Sequence, residues 1–505
     1  MKSNIKSLLK YIPIIGICVS LMSCDSTSIT NDLLPEPQIK AGVVKIYGKL
    51  NDPMTKIPSL ILRFENPVTA DESIIETKVE QDGSFYFEAP IECSTVFSSI
   101  YSPGGHGGVL IELSADEDIR INLKLGNTGK IKIEDVSGNS LLTNQDKENI
   151  GDVLVKYATY RYDMEPILKM TPEEYALFEM NMMKTRTDYA MKGANFSNAG
   201  NYFILNALKL FHLRGALLLY KERVEMLFKG KYDLGNWSPC EPDIKYYSFL
   251  KSFDLNNPLY LYNSDYPITM QRLLSAKALN ISPISETPVN EWLEEVKAIL
   301  AELMGFNSGQ FYDMLAAHAY AKQFIDELNP LSDKQKENIL CYFGDGEIAK
   351  ILLRKNEQIV GLATKQNAVI INHTPAVSKE KLMDGILSNY KGKGVVVDFW
   401  ATWCSPCVDA MKQMDVIKSQ LKDNDIVFVY ITNESSPKEL WNQKIKSIFG
   451  EHYYVNSEEW DYLLALFDFS SIPTHLFFDA HGLLKEKITG YPGNIEMQKR
   501  IEELL

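Results

Sequence analysis

The sequence predicts a multidomain protein with an N-terminal antiparallel β-sandwich, a central all-α domain and a C-terminal α/β domain. The chain has 505 residues, which is more than a domain with a single hydrophobic core usually contains. The apolar residues alternate with a period of two over residues 41–138, follow helical spacing over 139–370, and mark alternating strands and helices over 371–505. Hydrophobic content of 45% and charged content of 23% are typical of a globular chain.

The N-terminus has the features of a targeting segment. Lysines precede a mainly apolar run of 12 residues that ends at Met22. A helix needs about 20 residues to cross a bilayer, so this run is too short to span one. We therefore predict a signal peptide over residues 1–23 and a polar, proline-containing tether over residues 24–40.

The end of this segment, Leu21-Met22-Ser23-Cys24, resembles the lipobox of bacterial lipoprotein precursors. The resemblance implies that Cys24 is lipidated, becomes the first residue of the mature chain and anchors it to a membrane. It also implies a location in the bacterial cell envelope, facing the periplasm. An ordinary secretory signal in which Cys24 has no role is the alternative.

The charge balance is acidic. The chain has 66 Asp and Glu against 52 Lys and Arg, a formal net charge of −14. Phosphate backbones are bound by basic surfaces, so no nucleic-acid partner is predicted.

Residues 41–138 contain several short runs with period-two alternation, among them VVKIYGKL, SLILRFEN, SFYFEA and IRINLKL. This alternation is typical of strands that bury one face. Asp82-Gly83 lies between two such runs and predicts a tight hairpin, because both residues tolerate the positive φ of such a turn. These features predict the antiparallel β-sandwich.

Residues 139–370 have helical periodicity. One apolar stripe with helical spacing runs from Trp292 to Leu303. Thr171, followed by a proline and two acids, and Ser332 have the sequence context of helix N-caps. We find no repeat of fixed period, and the pattern indicates no specific role for this region.

Residues 371–505 alternate between strand-like and helix-like segments. In order, these are the strand GVVVDFW, the helix Cys404 to Leu421, the strand DIVFVYIT, the helix Pro437 to Phe449, the helix Glu458 to Phe467, and the strands THLFFD and LLKEKITG. This order predicts an α/β sheet with an antiparallel end.

Of the seven cysteines, only Cys404 and Cys407 are close together in the mature sequence. Cys93 and Cys341 are predicted to be buried free thiols. In an oxidising compartment, a single close pair favours redox catalysis over cross-linking.

The spacing of Cys404 and Cys407 supports that chemistry. Residues three apart on a helix share a face, so the two sulfurs can meet. The start of a helix favours a thiolate and lowers the pKa of its cysteine. Cys404, nearer the helix start, is therefore the predicted nucleophile, and Cys407 the resolving thiol.

A zinc site is the alternative use of a CxxC pair, but it needs four ligands and no second such motif is present. His475 and His481 are typical of packing or surface residues in a strand and a turn. We therefore predict no metal, and no cofactor other than the redox-active disulfide Cys404–Cys407.

The segment VVVDFWATWCSPC, followed by Ile472-Pro473-Thr474, resembles the active-site strand, helix start and cis-proline loop of the thioredoxin superfamily. Between Cys404 and Pro473 lie 68 residues, room for the additional helix and strand of the TlpA/ResA-like branch. The resemblance implies a thioredoxin-like fold for residues 371–505.

The resemblance also implies roles for individual residues, which are assigned by their positions in the matching motifs. Asp398 would be a buried acid that accepts the proton of Cys407. Trp403 and the segment Ile472-Pro473-Thr474 would form the surface on which a substrate docks. One departure is that ordinary thioredoxins have a lysine on the next strand, whereas IVFVYITN contains none.

The function implied is that of a membrane-anchored envelope thiol–disulfide oxidoreductase. It would exchange its cysteine pair with cysteines of exported proteins or of c-type cytochrome precursors, and would depend on an upstream electron donor. The dipeptide Ser405-Pro406 resembles reducing members of the superfamily, which favours a reductase. The alternative is a partner-binding scaffold lipoprotein in which the thioredoxin-like domain is auxiliary.

Overall fold

The structure, a computed structural model, describes residues 34–51, 57–103, 108–126, 131–138, 140–229, 239–327, 329–365, 369–421 and 425–505. The predicted signal peptide, Cys24 and most of the predicted tether lie outside these residues.

Among the described residues, eight strands precede the first helix: β1 (Ile39–Asn51), β2 (Ser59–Glu65), β3 (Glu72–Lys78), β4 (Ser84–Cys93), β5 (Thr95–Tyr101), β6 (Val109–Ser114), β7 (Asp118–Leu125) and β8 (Ile131–Val136). They form two four-stranded sheets with the orders β4-β1-β7-β8 and β3-β2-β5-β6. Buried and exposed residues alternate along β7, as expected for a strand that buries one face. Apolar residues of both sheets share one core, which makes this region a sandwich.

The prediction of a purely antiparallel sandwich is wrong for one strand pair. β1 and β7 run parallel, with Lys45 opposite Asp118. The predicted Asp82-Gly83 hairpin is also wrong. Gly83 has a positive φ of 84°, but the turn leads from β3 in one sheet to β4 in the other. Alternation follows from the pleat of a single strand, so it cannot reveal the direction or identity of a neighbouring strand.

Nine α-helices follow in the described part of residues 140–365: α1 (Asn144–Thr159), α2 (Pro172–Met191), α3 (Asn198–His212), α4 (Tyr220–Lys229), α5 (Asp265–Ser275), α6 (Val289–Met304), α7 (Gln310–Glu327), α8 (Asp333–Phe343) and α9 (Glu347–Lys365). The helical prediction is confirmed. So are both predicted N-caps, because Thr171 and Ser332 form capping boxes with Glu174 and Gln335.

Within the described residues, no single helix has the length and hydropathy of a membrane span. The segments Asn198–Leu217 and Tyr220–Met226, bent by 69° relative to each other, reach those values only as a pair.

The sandwich and the helices share a continuous apolar core that extends from Val44 to Ile359. Polar contacts also cross the junction. His318 Nε2 lies 2.9 Å from the carbonyl oxygen of Pro67, and Lys355 Nζ lies 2.8 Å from the Asp71 carboxylate. The predicted boundary between 138 and 139 thus separates strands from helices but not two cores, and the division into domains stays a prediction.

The last part of the chain comprises β9 (Val369–Ile371), α10 (Leu382–Leu387), β10 (Gly394–Phe399), α11 (Ser405–Gln420), β11 (Ile426–Asn433), α12 (Lys438–Lys444), β12 (Gly450–Val455), α13 (Ser457–Leu466), β13 (Thr474–Phe478), β14 (Leu484–Thr489) and α14 (Asn494–Glu502). Its sheet has the order β14-β13-β10-β11-β12-β9. β10, β11, β12 and β9 pair in parallel, while β13 is antiparallel to β10 and to β14. The predicted α/β sheet with an antiparallel end is confirmed.

Two strands of this sheet were not predicted. β12 directly follows the segment predicted as a helix up to Phe449, and β9 has only three residues. β9 begins at Val369, so the predicted boundary between 370 and 371 falls inside it. The two strands pair with each other, and neither has an apolar run long enough to indicate a strand by itself.

The central strand β10 sends its side chains alternately to the two faces of this sheet. Val395, Val397 and Phe399 pack with residues of α10 and α13. Val396 packs on the other face, with Met414 of α11 and Met497 of α14. Asp398, two residues after Val396, therefore lies on the face covered by α11.

Candidate active site

Cys404 and Cys407 form a disulfide at the start of α11, with their Cα atoms 5.3 Å apart. Cys404 is the N-cap residue, and the backbone N–H of Cys407 donates to its Sγ at 3.2 Å. This contact and the partial positive charge of the helix start favour a thiolate at Cys404. Cys404 is 4% exposed and Cys407 is 0% exposed, so an incoming group reaches Cys404 first.

The loop before Cys404 is held by residues that follow β11. The N–H of Thr402 donates to Ser436 Oγ at 2.9 Å, and the indole N–H of Trp403 donates to Ser435 Oγ at 3.1 Å. The Trp403 side chain is nevertheless 64% exposed beside the disulfide. β10 and β11 are parallel, so their carboxyl ends meet at one edge and bring the two serines to this loop.

The segment Ile472-Pro473-Thr474 lies at the same site, and the Ile472–Pro473 peptide bond is cis. Ile472 is half-buried against the apolar cluster that contains both cysteines. Thr474 is buried and its hydroxyl donates to the carbonyl oxygen of Ser471 at 2.8 Å. The predicted contact of these residues with a substrate stays a prediction. For Thr474 it would involve the backbone, because its side chain faces the interior.

Asp398 lies at the centre of a polar row that crosses the sheet beneath α11. Its register partners are Tyr430 on β11 and His475 on β13, and the next residue in the row is His452, opposite Tyr430 on β12. Register partners point to the same face of a sheet, so these four side chains lie side by side. Tyr430 also packs in the apolar cluster of Cys404 and Cys407, which connects the row to the disulfide.

Burial controls the protonation of this row. It raises the pKa of Asp398 well above the usual range, an effect that the charge of Lys418 partly opposes. It lowers the pKa of His475 and of His452 to about 4. Asp398 Oδ1 and His475 Nδ1 are 3.6 Å apart, and both side chains are almost completely buried.

Lys418 provides a basic group near Asp398, although the neighbouring strand β11 contains no lysine. It comes from α11 and lies 3.0 Å from Asp415 and 5.0 Å from the ring centroid of Tyr430. Burial alone would lower the pKa of Lys418, but Tyr430 and Asp415 raise it above its usual value. A cation thus remains near the buried acid, although it reaches the row from a helix.

Four residues at this site were missed by sequence reasoning: Lys418, Ser435, Ser436 and the polar partner His475. For the serines a signal exists, because they directly follow a parallel strand at the edge where Cys404 lies. For His475, the signal is a polar residue within the apolar strand THLFFD. Lys418 carries no such signal, since a lysine on an amphipathic helix is usually exposed.

The remaining thiols are scattered. Cys93 is buried, and burial raises its pKa to about 11. Cys341 is exposed, so the prediction of a buried thiol there is wrong, and Cys240 is also exposed. In the part of the chain that the structure describes, no group of three or more His, Cys, Asp or Glu side chains is arranged to hold a metal ion.

Comparison with known proteins gives consistent matches for this C-terminal segment. Residues 372–504 match the family model described as Redoxin. The thiol-disulfide oxidoreductase ResA of Geobacillus kaustophilus is 30% identical over 118 residues, which are 23% of this chain and 67% of that relative. ResA of Bacillus subtilis is 30% identical over 104 residues, 21% of this chain and 57% of the relative.

Among solved structures, a thiol:disulfide interchange protein of the thioredoxin family from Chlorobium tepidum is 23% identical. The match covers 24% of this chain and 88% of the Chlorobium tepidum chain, with a TM-score of 0.22. Together with the sheet order described above, the family and sequence matches confirm the thioredoxin-like fold predicted for this region. The chain belongs, through this segment, to the ResA/TlpA-like branch of the thioredoxin superfamily and is a thiol–disulfide oxidoreductase.

Proposed function

We propose that the protein is a membrane-anchored enzyme of the bacterial envelope that reduces disulfides of exported proteins through Cys404 and Cys407. The observation that carries this proposal is the unequal burial of the pair. Cys404 has a small exposed surface at the helix start beside Trp403, whereas Cys407 has none. An external disulfide can therefore meet only Cys404, and Cys407 can act only within the protein.

In the proposed reaction the Cys404 thiolate attacks a substrate disulfide and forms a mixed disulfide. Cys407 then loses its proton to Asp398 and attacks Cys404, which releases the substrate as a dithiol and closes the Cys404–Cys407 bond. Trp403, Ile472, Pro473 and Thr474 would form the surface on which the substrate segment docks. An upstream electron donor would restore the dithiol.

The direction of electron flow is part of the proposal. The Ser405-Pro406 dipeptide supports a reductase. The test is a redox titration of the purified full-length protein together with an insulin-reduction assay. We expect turnover that Cys404→Ser abolishes, and turnover that is unaffected by this variant would refute the enzymatic role. A reduction potential above about −150 mV would instead indicate an oxidase.

Anchoring through Cys24 is proposed from the lipobox-like sequence, and with it a periplasm-facing position. Cells that express the protein can be labelled with a clickable palmitate analogue. We expect the label and membrane fractionation to be lost together in Cys24→Ala, with Cys18→Ala as the control within the signal peptide. Unchanged labelling of Cys24→Ala would refute lipidation at this residue.

A further inference from the structure

We propose that His475 is a positioning residue for thiol–disulfide exchange, which takes the proton of Asp398 and so leaves the Asp398 carboxylate free to accept the proton of Cys407. This inference rests on the proposed function and adds a residue to its second step.

The geometry of the pair is the first support. Asp398 and His475 are register partners on the adjacent antiparallel strands β10 and β13, with Oδ1 and Nδ1 3.6 Å apart. Among the described residues, neither carboxyl oxygen of Asp398 and neither ring nitrogen of His475 has a hydrogen-bond partner. Burying polar groups without partners is costly. A hydrogen bond between Oδ1 and Nδ1 would give each of these two atoms a partner.

Among the described residues, His475 is the basic side chain that lies within 4 Å of the Asp398 carboxylate. The titratable groups that face the pair are Lys418 and Asp415 from α11, Tyr430 from β11, and Tyr491 from the segment before α14. Lys418 is paired with Asp415 at 3.0 Å, and the ring of Tyr491 lies 5.9 Å from that of His475. None of the hydrogen bonds made by these groups goes to Asp398.

Burial acts on both members of the pair in the same direction. It raises the pKa of Asp398 and lowers the pKa of His475 to about 4, because it disfavours either charge alone. Burial thus favours the state in which the pair holds one titratable proton and no net charge. Moving that proton from Asp398 to His475 keeps the net charge at zero, and the attraction between the two new charges offsets part of their desolvation. A carboxylate thus becomes available without adding net charge to the core.

Resolution starts from the mixed disulfide between Cys404 and a substrate sulfur. The Cys407 thiol gives its proton to the Asp398 carboxylate while His475 carries the other proton. The Cys407 sulfur then bonds to Cys404 Sγ, and the bond from Cys404 to the substrate sulfur breaks. The substrate sulfur leaves with the electron pair and takes a proton from water. The enzyme dithiol is thereby oxidised and the substrate disulfide reduced, and one proton leaves the Asp398–His475 pair for solvent.

Rapid mixing of the reduced full-length protein with the aromatic disulfide 5,5′-dithiobis(2-nitrobenzoate) separates the two steps. Attack by Cys404 releases the first chromophore, and resolution by Cys407 releases the second. In His475→Asn we expect the first phase to be unchanged and the second to slow on the order of ten-fold at pH 7, less than the loss of a direct proton acceptor. We also expect the pH midpoint of the second phase to rise.

His318→Asn is the matched control. His318 is as buried as His475, but it lies on α7, where its Nε2 is 2.9 Å from the carbonyl oxygen of Pro67. We expect both phases of this variant to stay within about two-fold of the parent. His475→Gln is a second test variant, and a melting curve of each variant establishes that it is folded.

Non-additivity distinguishes the proposal from simple damage to packing. In the Asp398→Asn background, His475→Asn should cause no further slowing of the second phase, because there is no carboxylate left to position. In NMR spectra with labelled imidazole, His475 should take up a proton at higher pH in the parent than in Asp398→Asn. Additive slowing, a pH profile of His475→Asn that superimposes on that of the parent, or an identical His475 titration in both proteins would overturn the inference. Failure of the proposed function has a different signature, namely no release of chromophore that depends on Cys404 in the parent.

Discussion

Arg63 on β2 of the sandwich has a guanidinium nitrogen 3.5 Å from the carboxylate of Asp409 on α11, the helix that begins after Cys404. A second polar contact lies nearby. The Glu76 carboxylate of β3 accepts hydrogen bonds from the N–H groups of Asn494 and Ile495 at the start of α14. The sandwich thus packs on the helices that cover the polar row. Trp403 and the exposed surface of Cys404 lie outside these contacts.

Removing the Glu76 carboxylate should weaken this junction. In Glu76→Ala the first N–H groups of α14 lose their acceptor, so we expect the free energy of unfolding to fall by about 1 kcal/mol. Urea unfolding of the full chain, followed by circular dichroism, measures the change. Glu80→Ala is the control, because Glu80 pairs with Lys78 at the surface and should contribute less than about 0.5 kcal/mol. Equal effects of the two variants would contradict the capping role.

The unequal burial of the cysteines predicts different products from the two single variants. Cys407→Ser keeps the exposed nucleophile but cannot resolve, so a mixed disulfide with the substrate should accumulate and turnover should fall to background. Cys404→Ser should form no such adduct, because the remaining thiol of Cys407 is fully buried. Non-reducing electrophoresis and mass spectrometry detect the adduct. Adducts of similar yield from both variants would show that Cys407 is accessible.

Three fully buried histidines predict a loss of stability in mild acid. Burial lowers the pKa of His318, His452 and His475 from about 6.5 to about 4. Between these values the unfolded chain binds protons that the folded chain excludes, so stability is complete above about pH 6.5 and falls as the pH drops towards 4. Each histidine contributes a loss on the order of 3 kcal/mol by the end of this range. Asp398, with its raised pKa, acts in the opposite direction.

The effect can be measured from urea unfolding midpoints between pH 7.5 and 4.5. In His318→Gln, the free energy of unfolding should depend less steeply on pH. The difference should correspond to about one proton fewer taken up on unfolding between pH 6.5 and 4. The exposed Val155, which has no titratable group, provides the control, and Val155→Ala should leave the slope unchanged. A His318→Gln slope equal to that of the parent would show that this histidine does not cause the loss.

The helical region contains a buried charge network centred on Glu179. Its carboxylate lies 2.9 Å from Arg223 Nη1 and 3.3 Å from His212 Nε2, and it accepts a hydrogen bond from Tyr162 at 3.0 Å. Glu179→Ala leaves the Arg223 charge buried without its carboxylate, which should cost about 3–5 kcal/mol. Glu173→Ala, at an exposed position of the same helix, should cost less than about 0.5 kcal/mol. Thermal unfolding compares the two, and a small effect of Glu179→Ala would mean that the network relaxes or admits water.

The features predicted correctly from the sequence depend on neighbours along the chain. The capping boxes at Thr171 and Ser332 involve residues three positions apart. The pairing of Cys404 with Cys407 follows from one turn of a helix. The strand GVVVDF is predicted because both of its faces are apolar, and all six of its residues are buried.

The features that sequence reasoning missed depend on partners far along the chain. β9 is a strand only because β12 lies beside it, and β7 is parallel to β1 through the overall topology. Asp398 and His475 are register partners although 76 residues of chain lie between them. Lys418, which lies near Asp398, belongs to the helix α11.

The amino-acid sequence by itself therefore determined the local chemistry: a redox cysteine pair at a helix start, an acid within an apolar strand, and the caps that begin helices. Tertiary structure alone decided how completely Cys407 is buried, which base faces the buried acid, and which surface of the sandwich meets the redox helix. The physical reason is that hydrogen bonding and periodicity within an element follow from residues a few positions apart. Burial and the electrostatic field at a site, by contrast, are set by every element packed around it.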